Sequence, residues 1–218
     1  MHAQSDSSSS GHAGSTVRTL ILACGALARE IAALKAANGW DAVTVRYLAP
    51  ELHNRPERIP GAVDGAVRES IGQFDRIIVG YADCGTGGRL DEVIARLAVD
   101  SGVPIERIPG VHCYEFYAGA AAFAALADAE PGTFYLTDFL VRHFDRLVIR
   151  GLGLDRHPEL HAMYFGNYRR VVYLAQNPSD RDRAAAEAIA ERMNLAYDYH
   201  LTGYGGLGAS LLARLPAA

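Results

Sequence analysis

The chain has 218 residues, half of them hydrophobic and 21% charged, with a formal net charge of -4 at pH 7. That length and balance suit one domain with a sizeable core. The charge leaves no electrostatic footprint for nucleic acid, and no apolar run approaches the roughly 20 residues that span a bilayer. Three cysteines match no small disulfide framework, so a reducing, cytoplasmic setting is expected.

Residues 1–16, with the run Ser7-Ser8-Ser9-Ser10, lack the apolar side chains that offset the entropy of ordering and read as a disordered tail. From residue 17 to 218 the pattern is a single α/β domain. A strand at 18–24 leads into a helix carrying Leu27, Ile31 and Leu34 and stopped by Asn38-Gly39. A second strand at 43–48 ends at Pro50. A helix over 63–71 precedes a third strand at 76–81. Helical spacing over 91–99 precedes a short fourth strand at 105–108. An Ala-rich helix follows over 114–127.

The second half repeats the theme less regularly. Strands are expected at 133–137, 170–174 and 195–201, and helices at 138–149, 158–165 and 180–193, the last begun by Ser179. A glycine-rich loop, Thr202-Gly203-Tyr204-Gly205-Gly206-Leu207-Gly208, introduces a closing helix. The expectation is a mostly parallel sheet with helices on both faces, Rossmann-like, in which both halves have the pattern of a lobe.

Cys24, Cys84 and Cys113 each fall where a strand runs out. Parallel neighbouring strands would bring all three to the carboxyl edge of a sheet, where open α/β folds place their ligands. Their separations of 60 and 29 residues match no local zinc-knuckle spacing, yet catalytic metals draw ligands from separate strand ends. The three thiols are therefore candidate metal ligands, for zinc or alternatively for a [4Fe–4S] cluster with one free iron. His53, in the stiff loop Leu52-His53-Asn54-Arg55-Pro56, and His112, beside Cys113, are candidates for acid–base work on a substrate. Glu115 is a candidate orienting group or general base.

The loop Cys84-Gly85-Thr86-Gly87-Gly88 is neither a P-loop nor GxGxxG. Gly85, Gly87 and Gly88 suit close backbone approach to a cofactor or substrate. Tyr204 is a further candidate for hydrogen bonding a ligand. His157 and His161 have i,i+4 spacing, but Glu159 does not stand where HExxH requires it. Asp138 and His143, near a helix start, carry no sharper signal.

These stretches resemble the DUF1638 family of uncharacterised bacterial and archaeal proteins. The matching segments are Ile21-Leu22-Ala23-Cys24 with Arg29-Glu30, Leu52-His53-Asn54-Arg55-Pro56 and Tyr81-Ala82-Asp83-Cys84-Gly85-Thr86-Gly87-Gly88. Ile108-Pro109-Gly110-Val111-His112-Cys113 and Tyr164-Phe165-Gly166-Asn167-Tyr168 continue the likeness, which implies an Asp where this chain has His112. Members often stand beside corrinoid-dependent methyltransferases, so the resemblance implies one-carbon metabolism and a corrinoid protein or methyltransferase as partner.

Three functions are thus open. The first is a metal-dependent enzyme, a transferase or lyase, acting on a small molecule through a three-cysteine site. The second is a small-molecule or corrinoid-binding module without catalysis. The third is a metal-free enzyme with Cys113 as nucleophile, served by His112 or His53.

Overall fold

A computed structural model describes residues 17–215. The tail expected over residues 1–16 lies outside them. Two all-parallel sheets organise the chain: β2-β1-β3-β4, then β5-β6-β7. In the first, β1 (Thr19–Cys24) feeds α1 (Ala28–Ala37), β2 (Val43–Leu48), α2 (Ile59–Arg68), β3 (Arg76–Gly80), α3 (Arg89–Ser101) and β4 (Ile105–Arg107). The connecting α4 (Glu115–Ala118) and α5 (Ala120–Ala129) lead to β5 (Thr133–Thr137), α6 (Asp138–Phe144), α7 (His161–Phe165), β6 (Arg170–Ala175), α8 (Asp180–Arg192), β7 (Ala196–Leu201) and α9 (Gly205–Leu212).

The strands are where alternation and apolar runs place them, and the two sheets give physical form to the two lobes. All six residues of β1 are buried, as a central parallel strand covered on both faces requires. β6 shows the same burial on both faces. Val171, Tyr173 and Ala175 join one core with Ala186 and Ile189 of α8, while Val172 and Leu174 face Phe123 and Leu126 of α5.

Two helices differ from expectation. The Ala-rich segment is broken at Gly119, whose φ of 80° leaves the helical region and splits it into α4 and α5. The helix expected over 138–149 is α-helical only to Phe144 and continues as a π-helical turn, Asp145–Ile149.

The order of the first sheet decides where chemistry can gather. From β1 the chain goes to β2 on one side and then to β3 on the other, so the topological switch point lies between β1 and β3. Those strands approach so closely that a Cβ on Gly80 would stand 2.7 Å from the Cβ of Ala23. The two lobes are also tied end to beginning. Leu207 and Leu211 of α9, with Leu215, are buried in the core that contains β1 and β3.

Candidate functional site

The sulfur-bearing residues are positioned by backbone that leaves little freedom. Cys24 is the last residue of β1, and its sulfur accepts from the N–H of Ala26 at 3.3 Å, capping the turn into α1. Cys84 follows β3 with φ 51°, a left-handed conformation rare for a residue with a side chain. Two backbone bonds continue the β3–β4 pairing beyond the strands: the Asp83 N–H donates to Gly110 and the Cys84 N–H to Val111, each at 3.0 Å. They bring the Cys84 loop against the Cys113 loop.

Each loop is also held by a carboxylate. Asp83 accepts from the Thr86 hydroxyl (2.7 Å), the Gly88 N–H (2.8 Å) and the Gly87 N–H (3.1 Å). Its pKa is lowered first by Thr86 and then by Gly88, against the opposing effect of burial. The glycine loop therefore spends these two N–H groups on Asp83. Gly85, at φ 82°, lies against Pro56. Glu115 performs the matching task on the other loop, accepting from the N–H groups of Val111 (3.0 Å) and His112 (3.1 Å). Asp83 escaped the sequence reading. Its signal was an Asp opening a small-residue loop, the setting in which Asp bonds the backbone ahead of it.

Among the described residues, His53, Cys84 and Cys113 form a group whose nitrogen and sulfur atoms all lie within 4.8 Å of one another. Cys24 stands outside that triple, and its sulfur faces Nδ1 of His53 at 3.6 Å. Nε2 of His53 is buried without a hydrogen-bond partner, as is the hydroxyl of Tyr81, whose ring stacks on His53 at 6.0 Å. Nδ1 is thus engaged by Cys24, and Nε2 is left without a hydrogen-bond partner on a ring grouped with two thiols.

The electrostatics follow from this packing. The neighbouring Cys113 thiol and His53 ring outweigh burial and pull the Cys84 thiol down to about 4. Cys113, the donor to Cys84 and half-buried, is pushed well above the ordinary thiol value. Burial alone would lower His53, yet hydrogen bonds and negative charge from Cys24 and Cys84 carry it up to about 10. The two shifts run in opposite directions, favouring negative charge on Cys84 and positive charge on His53. Burial lowers His112 instead, which stacks on Tyr114 at 4.3 Å with Nδ1 3.7 Å from the Cys113 sulfur.

The cluster forms part of the lining of a cavity of about 310 Å³ between the lobes. His53, Cys84, His112 and Cys113 line one side, and Phe134, Phe139, Phe165 and Tyr168 of the second lobe line the other. Neither Glu115 nor Tyr204 lines this cavity; Tyr204 instead begins α9. His157 is exposed and bonded to Glu159 at 3.2 Å, whereas His161 packs on Phe165. His143 packs on Phe139. Asp138 is buried and fully occupied, accepting from the Tyr173 hydroxyl (2.6 Å) and the N–H groups of Gln176 (3.1 Å) and Asn177 (2.8 Å).

Fold and site together define a two-lobed parallel α/β protein with a histidine–cysteine cluster at its interlobe cleft. Residues 47–211 match the family described as "Protein of unknown function (DUF1638)", and the chain belongs to that family. No curated protein matches it. Among the described residues no helix is long and apolar enough to cross a membrane.

Proposed function

We propose that the protein is a metal-dependent enzyme acting on a small molecule in the interlobe cleft, with zinc held by Cys84, Cys113 and Nε2 of His53. The observation that carries this reading is the buried, unpartnered Nε2 of a histidine grouped with two thiols. An orphaned buried nitrogen costs about 1–3 kcal/mol, a cost that coordination removes. Cys24, facing Nδ1, has the task of the outer partner that fixes a ligand histidine's ring and tautomer. Two thiolates, one imidazole and an open position form a known catalytic zinc set. Zinc there would supply Lewis acidity toward a substrate thiol, water or carbonyl. His112 lines the cavity, and burial disfavours its charged form, which suits a proton acceptor. Methyl transfer to a thiol belongs to this reaction class, and the family resemblance, which implies one-carbon metabolism with a corrinoid protein or methyltransferase as partner, is consistent with it.

Elemental analysis of anaerobically purified protein tests the reading. The expected result is stoichiometric zinc that is lost or sharply reduced in Cys84→Ser, Cys113→Ser and His53→Ala, because a hydroxyl is a poor substitute for a soft thiolate. His157→Ala should match wild type. A brown, iron-loaded protein that loses its colour in Cys24→Ser would support a three-cysteine cluster instead. Cys84 in its left-handed turn, after a strand and before a helix, also favours a second reading as a metal-free nucleophile. A fully active, metal-free protein with one hyperreactive thiol would establish that alternative.

A further inference from the structure

Outside the histidine–cysteine cluster, the cleft is built from uncharged side chains. Among the described residues, no Asp, Glu, Lys or Arg side chain lines the cavity. His53, His112 and the two thiols meet on the first-lobe side, and the second lobe adds the uncharged polar groups of Thr137, Tyr164 and Tyr168. The opposite wall is built from rings: Phe134 meets Phe165 edge-on at 5.6 Å and Tyr168 edge-on at 5.5 Å. At about 310 Å³ the cavity sits at the low end of the roughly 300–1,000 Å³ typical of small-molecule sites.

We infer that the cleft takes a small, uncharged molecule with an aromatic body of one or two rings, its ring against Phe134, Phe165 and Tyr168 and its polar end toward the His53–Cys84–Cys113 cluster. Two physical terms favour this class. An aromatic ligand entering an aromatic wall gains the offset and edge-on contacts that such rings prefer, about 0.5–1.5 kcal/mol each beyond area burial. A carboxylate or ammonium on the same body would lose its hydration with no acidic or basic side chain outside the cluster to replace it. The assignment rests on the cluster being the reactive end of the cleft, but the neutrality of the wall is tested without any metal.

The experiment is calorimetric titration of the full-length wild-type protein with three ligands of one shape: benzyl alcohol, benzoate and benzylammonium. Benzyl alcohol is expected to bind at least about tenfold more tightly than either ion, the smallest difference that burying an uncompensated charge should produce. Leu152, half-buried on the second-lobe wall, gives the complementary variant. Leu152→Asp should weaken benzyl alcohol and benzoate and strengthen benzylammonium relative to wild type. Equal binding of all three, preferential binding of either ion, or no binding of benzyl alcohol would overturn the inference, each on wild-type protein alone. Zinc content measured on the same preparations separates the two readings. Neutral preference in a zinc-free protein removes the metal and leaves this assignment standing, and stoichiometric zinc with ionic preference does the reverse.

Discussion

At the scale of single residues, the site depends on side chains that never face the cleft. Asp83 gathers three donors into the loop that holds Cys84 in its left-handed conformation, and Glu115 fixes the loop of Cys113. Hydrogen bonds to a charged group contribute about 1.5–3 kcal/mol, so Asp83→Ala is expected to destabilise the protein by about 2 kcal/mol. It should also lower zinc occupancy, since Cys84 then samples other backbone conformations. Asp83→Asn retains one acceptor and should recover part of both losses. Denaturant unfolding and elemental analysis on the same samples measure the two effects. Unchanged occupancy in Asp83→Ala would show that the loop keeps its shape without the carboxylate. Position 112 illustrates a limit at this scale. The sequence offers His112, Cys113 and Glu115 as a contiguous set, but only the first two line the cavity, because Glu115 turns back onto its own loop.

At the scale of elements, helix termini and the contacts between helices are readable as physical chemistry. α8 begins with a capping box in which Ser179 and Asp182 satisfy each other's backbone N–H groups. Asp182 also holds Arg142 of α6 through two bonds of 2.9 Å and 2.8 Å, joining α6 to α8. Burial would raise this carboxyl, but Arg142 and Ser179 outweigh it and hold it down to about 2. A depressed folded pKa contributes stability that is present above the unfolded value, near 3.9, and is lost as pH falls through the folded one. Wild type should therefore exceed Asp182→Asn by about 2 kcal/mol at pH 6, with the difference shrinking between about pH 4 and pH 2. Unfolding of both proteins across that range checks the sign. A difference that grows on acidification would refute the assignment.

At the scale of the whole molecule, the two sheets are separate yet the chain that forms them is not divisible at their boundary. α9 follows the last strand of the second sheet and buries Leu207 and Leu211 in the first core, each fully enclosed. Burying a leucine is worth about 1.5–3 kcal/mol, so α9 contributes several kcal/mol to a lobe that begins far away in sequence. Its first turn passes so near α4 that a Cβ on Gly205 would lie 2.0 Å from the Tyr117 carbonyl oxygen. A single cooperative calorimetric transition is the expected outcome, with equal calorimetric and van't Hoff enthalpies. Removal of residues 202–218 should abolish it by opening the first core. Two resolved transitions in the intact protein would show that the lobes fold independently.

Local pattern alone determined much of this architecture. Strands β2 and β5 stand where their alternating or continuous apolar runs put them, because burial on one or both faces of a sheet is written into periods a short window can hold. Ser179 marked the start of α8 for the same reason: a cap acts within one turn. The strand-end cysteines were legible as a group, since parallel strands deliver their carboxyl ends to one edge. Their division of labour was not. Whether Cys24 joins Cys84 and Cys113 or faces Nδ1 of His53 depends on the sheet order β2-β1-β3-β4 and on the turn after β2, neither of which any stretch of sequence contains. The aromatic wall was equally hidden. Nothing in the sequence marks Phe134, Phe165 and Tyr168 as facing one cavity, and only the docking of the second sheet turns them toward a space whose other side is formed earlier in the chain. Local residues set elements because hydrogen bonding and burial periods are local; the site was decided by tertiary structure because its two walls meet only after each has folded.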